Sequence, residues 1–331
     1  LFYITLKQGL NGMGLFKKSV IGLEMDSKEI RAVEITGSVR QPVISAWGRM
    51  SLPEGIVKDG RVMNVESLSL YLDKLISQNG FKSRDVMLGI SNQDVIIRFA
   101  SFPKVPEDKI RNMVMFQAQE YIPVPLEELQ LDYVVAGEKQ NEDGAFLNII
   151  LVGARKKMLH DFINAFSGAK LTVKEIDSVT MAIGRAALCS IKEDVYAVAG
   201  FNHDIANLMV FNKGVFSMAR SVPFSQSVAW KNENGNYSKT TSVMADILIS
   251  ELRSSIGYYR MQSEDSVEGV YLIGLPDIRA ILEKFRDAGY EAKIAQPYLD
   301  IPVRNKSSGL GNFSTNDYSA AISLAIRGLG V

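Results

Sequence analysis

The sequence predicts an α/β protein built around two related sheet cores. Amphipathic helices alternate with strands along most of the chain. A strand–turn–strand unit at 20–35 (VIGLEM, a polar turn, IRAVEI) recurs at 195–210 (VYAVAGF, a polar turn, IANLMVF). The 331 residues also exceed the size at which a single hydrophobic core usually stops growing. Aligning Val20 with Val195 sets apolar against apolar positions at an offset of 175 residues.

The leading LFYITLKQGLNG, residues 1–12, precedes Met13-Gly14-Leu15-Phe16-Lys17-Lys18, which reads as an ordinary translation start. It lacks the basic head and small-residue cleavage site of an export signal, so it is read as an N-terminal extension or remnant without function. VIGLEM and IRAVEI flank the turn Asp26-Ser27-Lys28, and PVISAWGRM is a further strand. Leu68, Leu72, Leu75 and Ile76 recur on one face of a helix over 65–79, with Asn64 as its cap and Gly80 as its stop. The strands DVMLGIS and VIIRFASF follow. Pro106, Glu107 and Asp108 open a helix whose Ile110, Met113, Val114, Gln117 and Tyr121 share a face, and Pro123 and Pro125 end it. LQLDYVVAG and AFLNIILVGA make a second β unit, followed by a helix over 156–167.

Beyond the repeated unit, WKNENGNYSKTTS at 230–242 is polar and without period, hence a surface loop. Val243, Ile247, Ile249, Leu252, Ile256 and Tyr259 form the apolar stripe of a helix over 243–260. GVYLIG is a strand. Pro276-Asp277 starts a helix carrying Ile278, Ile281, Leu282 and Phe285, which Gly289 closes. The terminal DYSAAISLAIRG is a helix of small residues suited to close packing on a sheet.

Composition excludes several classes of function. The 37 basic and 37 acidic residues cancel, leaving no global field to attract a phosphate backbone, so nucleic acid is not an expected partner. The densest apolar run, FLNIILVGA, falls well short of the ~20 residues that cross a bilayer. A cytoplasmic location is therefore expected, peripheral to the inner face of the cell membrane. Lys17 and Lys18, at ~1 kcal/mol per charge near an anionic surface, are too weak an anchor, so the membrane would be reached only through a partner. Cys189 is the single cysteine and there are two histidines, which leaves no disulfide within the chain and no zinc or iron ligand set.

Five segments together resemble the PilM family of type IV pilus assembly proteins, similar in fold to the division protein FtsA. They are IGLEMDSKEIRAVEI at 21–35, SLPEGIVKDGRV at 51–62, FPKVPEDKIRNMVMFQAQEYIPVPLEELQLDYVV at 102–135, ILISELRSSIGYYR at 247–260 and AAISLAIRGL at 320–329. The resemblance implies a two-lobed, actin-like α/β body with ribonuclease H-like sheets flanked by helices and a cleft between the lobes. Residues 13–99 and 171–193 would form the first-lobe core, and 100–170 a small inserted αβ domain. Residues 194–331 would form the second lobe, with 224–265 as its insert and the last helix, 317–328, packing back toward the first lobe.

In actin-like ATPases two glycine turns grip the phosphates, because a residue without Cβ lets backbone N–H groups approach an anion. The first turn reads Asp-hydrophobic-Gly-Ser; the matching residues are Glu24, Met25, Asp26 and Ser27, with aspartate in place of glycine. A carboxylate ~4 Å from a phosphate oxygen repels it by roughly 4 kcal/mol at an effective dielectric of 20. The second turn is matched by Ala199, Gly200 and Phe201, then Ala206, placing Phe201 at the glycine position with Asn202 and Asp204 beyond it. Gly274 is kept from the adenine-side glycine pair, but Leu275 follows. Glu24, Asp26, Ser27, Asn202, Asp204 and Gly274 are thus read as a degenerate nucleotide cleft. Three losses of ~1–3 kcal/mol each weaken binding roughly 10²- to 10⁶-fold. No cofactor is expected, with ATP and magnesium as the alternative, and hydrolysis is expected to be slow or absent, with no catalytic and no metal-ligating residue. Asp204 and His203 read as a solvated hairpin turn, His160 as a surface residue and Cys189 as a small core filler.

The 102–135 block keeps the family pattern. PilM-like proteins hold the short N-terminal peptide of a single-span, PilN-like membrane protein between the first lobe and the inserted domain, and the resemblance implies that role here, with other pilus platform proteins as further partners. Phe116, Tyr121, Ile122, Pro123 and Pro125 are the candidate anchors; a packed helix end followed by a rigid turn is the alternative for these residues. Glu120, Glu127 and Glu128 form an acidic rim suited to a basic juxtamembrane segment. Two alternatives stand beside the adaptor: an actin-like adaptor whose bound ATP regulates partner affinity, and a related secretion-platform or cell-division scaffold.

Overall fold

The computed structural model describes residues 4–5, 18–141, 144–224, 238–263, 265–274, 278–304 and 313–330. The rest of the 1–12 extension, residues 13–17, residues 230–237 and Leu275-Pro276-Asp277 lie outside the described residues; 238–242, read as loop from the sequence, are helical.

In the first lobe, β1 (Ile4–Thr5), β2 (Lys18–Met25), β3 (Glu29–Ser38) and β4 (Gln41–Ser51) are followed by the short pair β5 (Val57–Lys58) and β6 (Arg61–Val62). Helix α1 (Val65–Gln78) comes next, its first turn closed by Asn64, whose side chain accepts the Ser67 N–H at 2.8 Å. Strand β7 (Asp85–Ile90) then leads out of the lobe. β8 (Val95–Pro103), α2 (Glu107–Tyr121), β9 (Leu129–Asn141) and β10 (Gly144–Arg155) form a separate antiparallel sheet of order β8-β10-β9. Ile110, Val114 and Ala118 of α2 pack on one face of it, against Phe102, Leu131, Leu147 and Leu151. The chain returns through α3 (Lys156–Gly168), β11 (Thr172–Ser178) and α4 (Val179–Leu188).

These contacts move the insert's boundaries from 100–170 to 95–155. β8 already belongs to the insert, whereas Leu159, Phe162 and Phe166 of α3 sit in the first-lobe core beside Leu68, Leu72 and Leu75 of α1. An amphipathic helix specifies that one face is buried, not which sheet buries it.

The second lobe comprises β12 (Val195–Phe201), β13 (Ile205–Asn212), β14 (Val215–Pro223), α5 (Ser238–Gln262), β15 (Gly269–Gly274), α6 (Ile278–Asp287) and β16 (Ala292–Ile294). In its described part the 224–265 segment is no separate unit: Met244, Leu248, Leu252 and Ile256 of α5 pack with Ile281 and Phe285 of α6 on the lobe's own sheet. The final helix, α7 (Ser319–Leu329), packs on the first-lobe sheet and beside α4.

The two main sheets have one topology. The first runs β11-β7-β2-β3-β4 with β1 added at its edge, the second β16-β15-β12-β13-β14; each has three antiparallel strands in sequence and two parallel ones. The internal repeat is real, but its offset is 176 residues rather than 175. Asp26 N–H donates to Glu29 O at 3.0 Å, and Asn202 N–H to Ile205 O at 3.1 Å. Asp26 Oδ1 accepts from the N–H groups of Lys28 and Glu29, and Asn202 Oδ1 from those of Asp204 and Ile205. Asn202, not Phe201, is therefore the counterpart of Asp26. In strands a one-residue slip exchanges the faces. Phe201 accordingly packs in the outer core of the second lobe, as Met25 does in that of the first.

Candidate functional site

The two repeated turns meet at the junction of the lobes. The Asp204 carboxylate crosses from the second lobe: Oδ2 accepts the backbone N–H of Ser27 at 2.9 Å and that of Gly60 at 3.0 Å, and Oδ1 accepts the Ser27 hydroxyl. In the reverse direction, Asp26 Oδ2 accepts the His203 N–H at 3.3 Å and faces His203 Nδ1 at 2.9 Å. The turn is thus not the solvated hairpin read in the sequence, because both of its polar side chains are engaged by the other lobe. Burial raises the Asp204 carboxyl above the ordinary aspartate value, against the opposing bond from Ser27. For Asp26 burial acts in the same direction, but the His203 bond and charge, Arg31 and the Lys28 N–H outweigh it and hold the carboxyl at about 2.

Beneath the turns lies a buried ionic floor. The Arg31 guanidinium stands 3.6 Å from Glu24, 3.7 Å from Asp26 and 3.6 Å from Glu29, and it donates to the Asp317 carbonyl at 3.3 Å. Arg49 adds contacts of 3.7 Å to Glu29 and to Asp317. Burial raises the Glu24 carboxyl, opposed by Arg31 and assisted by Asp26 and Glu29. On the opposite wall Gly274 has φ +130°, and a Cβ there would lie 2.2 Å from Phe201 O, so the packing on β12 by itself demands glycine. Its N–H donates to Asn316 Oδ1 at 2.9 Å.

Asp26, Glu29 and His203 bring one ligand atom each within 4.8 Å of one another, the one such set among the described residues. A cation there would have to displace the N–H donors already on Asp26 and stand beside the Arg31 guanidinium, which supplies the positive charge of the floor. The space between Glu24, Arg31, Asn202, Asn207, Gly274 and Asp317 measures about 10 Å³, room for a single water. In this arrangement the residues do not fit a magnesium–triphosphate: the turn donors are taken, the surroundings are acidic and the space between the floor and Gly274 is that of one water.

A larger concavity lies elsewhere. A groove of about 550 Å³ runs between the face of the inserted sheet that α2 does not cover and the packed helices α4 and α7. Val134 and Ala136 of β9 and Ile150 of β10 form one wall, and Met181, Arg185 and Leu188 of α4 form another. Ile326 and Arg327 of α7 line it, and Val215 and Phe216 reach over from the second lobe. Arg185 and Arg327 both pair with Asp177, Arg185 at 2.7 Å, and Arg327 also reaches Glu175 at 2.8 Å, so two cations and two anions nearly cancel there.

Residues 22–220 match the family model described as type IV pilus assembly protein PilM. The chain belongs to that family. The structure is similar to that of the PilM-PilN type IV pilus biogenesis complex, with a TM-score of 0.79 at 21% identity, over 94% of this chain and 98% of the other. It is also similar to the ethanolamine utilization protein EutJ from Carboxydothermus hydrogenoformans, with a TM-score of 0.53 at 12% identity, over 94% and 90% of the two chains. This PilM family member has the actin-like α/β fold, with mixed sheets flanked by helices.

In this PilM family chain Glu24, Asp26, Ser27, Asn202, Asp204 and Gly274 do converge on the lobe junction, but as partners of the chain's own groups. The anchors read from the sequence sit elsewhere than the groove. Phe116 is 86% exposed on the outer side of α2, and Glu120, Pro123 and Pro125 are exposed near it. Tyr121 leans edge-on against Phe102, with ring centroids 5.3 Å apart, and Ile122 is fully buried beneath the helix and offers no surface. Cys189 is exposed at the groove's rim rather than packed in the core. Sequence reasoning missed Val134, Ile150, Met181, Leu188 and Phe216. Their signal was present: β10 carries the unbroken apolar run Ile149-Ile150-Leu151-Val152, which implies cover on both faces of its sheet, and α2 supplies only one.

Proposed function

We propose that this protein is a cytoplasmic adaptor of the type IV pilus inner-membrane platform, peripheral to the membrane, that binds the N-terminal peptide of a PilN-like membrane protein in the groove between the inserted sheet and α4. The observation that carries this reading is the groove itself. It is apolar along Val134, Ile150, Met181, Leu188 and Phe216, with the Arg185 guanidinium at its wall as a donor for peptide carbonyls. That the similar PilM was solved in complex with PilN supports it. No helix among the described residues is long and apolar enough to cross a membrane, which agrees with attachment through a partner.

The test is fluorescence anisotropy with a labelled peptide copying the first dozen or so residues of the partner. Leu188, 43% exposed at the wall, is the position to change, because Leu188→Glu leaves the cores untouched. Loss of one central contact and burial of a charge against the peptide should weaken binding at least about 30-fold, or ~2 kcal/mol. Phe116→Ala, on the far side of the inserted sheet, should leave affinity unchanged. The reverse pattern would move the peptide to the outer side of α2.

The lobe junction is proposed to bind no nucleotide in function, with hydrolysis slow or absent. Calorimetric titration with Mg-ATP should give a dissociation constant weaker than ~1 mM, equivalent to about −4 kcal/mol. A micromolar constant would instead support an adaptor whose nucleotide regulates partner binding.

A further inference from the structure

The turn that the resemblance assigns to a phosphate is built for an anion and already holds one. Three donors converge on the Asp204 carboxylate: the N–H and hydroxyl of Ser27 and the N–H of Gly60. Gly60 is shaped for this approach. Its φ is +68°, and a Cβ would stand 2.3 Å from Ser91 O. Asp204 is itself held in place, since its N–H donates to Asn202 Oδ1 at 2.9 Å and its carbonyl accepts the Phe224 N–H at 2.8 Å. Backbone N–H groups converging on a carboxylate form short, charge-assisted bonds, about twice as strong as neutral ones.

We propose that Ser27 and Gly60 form an oxyanion pocket on the first lobe whose resident ligand is the Asp204 carboxylate of the second, so that the chain closes its two lobes with an anion it carries itself. The ligand class is a small monocarboxylate. Asp26 and Asp59 nearby disfavour the second charge of a phosphate, while the return bonds from His203 to Asp26 hold the opposite side of the same closure. A cavity of about 240 Å³, lined by Asp59, Arg61, Asn92, Asp204 and Phe224, adjoins the pocket. It gives a free carboxylate a route to the donors once the Asp204 side chain is shortened.

The experiment is thermal unfolding of the full chain as wild type and as Asp204→Ala, in sodium formate and in sodium chloride at matched ionic strength. In chloride the variant should melt about 4–8 °C below wild type, from the loss of several charge-assisted bonds between lobes. Formate should restore at least half of this drop in a saturable manner and leave wild type unchanged. Ser27→Ala added to the variant should weaken the formate response at least threefold. The proposal fails if Asp204→Ala melts with wild type, if formate shifts both proteins equally, or if the response survives loss of the Ser27 hydroxyl undiminished. Should Asp204→Ala not fold in chloride, recovery of folded protein in formate supports the pocket. If formate gives no recovery, the same comparison on Asp204→Ser, whose side chain is also shortened, decides, and equal formate and chloride midpoints there overturn the proposal.

Discussion

A single methyl group on Gly22 should come close to unfolding the protein. Gly22 lies in the middle of β2, directly beneath α7, and a Cβ there would stand 1.9 Å from Ala321 O and 2.6 Å from Ala325 N. Both are backbone atoms, so no rotamer change can relieve the clash. The helix would have to move off the sheet, and the close approach extends along it, because a Cβ on Gly328, about one turn beyond Ala325, would stand 2.5 Å from Met87 Cγ and 2.6 Å from Val20 Cγ1. Lifting α7 would strip cover from Val20, Ile322 and Leu324, all in the core shared by the lobes. Overpacking usually costs 1–3 kcal/mol when side chains can adjust; here the cost of Gly22→Ala should be at least about 4 kcal/mol. Gly89→Ala supplies the comparison, since its new Cβ would crowd only side-chain atoms, Leu324 Cδ1 at 2.7 Å and Val179 Cγ2 at 2.9 Å, with the Leu23 carbonyl oxygen at an ordinary contact distance of 3.6 Å. Its loss should stay near 1–2 kcal/mol. Urea unfolding of the two variants measures the difference, and equal losses would contradict the close approach of α7.

The α/β class and the internal repeat were legible because turn residues punctuate the chain and helical stripes such as Leu68, Leu72, Leu75 and Ile76 have an unambiguous period. The register of the repeat was not. All seven residues of β12 are buried, so hydrophobicity marks neither face and an alignment displaced by one residue scores as well as the true one. The matching backbone and side-chain bonds of the Asp26 and Asn202 turns fix the offset, and they appear only in the folded structure. The same slip set Phe201 in the cleft. The closure at Asp204 was invisible for another reason: its partners Ser27 and Gly60 lie 177 and 144 residues away, and an aspartate in a polar turn carries no local sign of a distant donor. Within the 102–135 block the helix does end just before Pro123, but burial divides the candidate anchors, with Ile122 facing inward and Phe116 outward, while the concave surface formed behind the sheet.

Removing the charge of Arg31 should be the second severe change, and its size should depend on pH. The guanidinium, 1% exposed, is shared by Glu24, Asp26 and Glu29. Arg31→Leu leaves three buried carboxylates with only Arg49 beside Glu29 and His203 beside Asp26, and breaking a buried ionic group by removing one partner costs about 3–5 kcal/mol near neutral pH. In wild type the two resolved carboxyl shifts act oppositely. Asp26 is held at about 2, below its unfolded value of 3.8, so its stabilisation is complete above the unfolded value and is lost as pH falls through about 2. Glu24 is raised by burial, so its ionisation opposes folding near neutrality, and that opposition is relieved as pH falls through its raised value. Arg31 lowers both groups. Without it each protonates at a higher pH in the folded protein, and protonation removes the charge that the substitution left uncompensated. The difference in unfolding free energy between wild type and Arg31→Leu should therefore be largest near pH ~7 and shrink on acidification below about pH 5. Arg31→Lys, which keeps the charge but not the planar reach to three carboxylates, should fall between them. Denaturant unfolding across this pH range reads the gap directly. A gap that stays constant or widens in acid would mean that Arg31 stabilises the junction by packing rather than by charge.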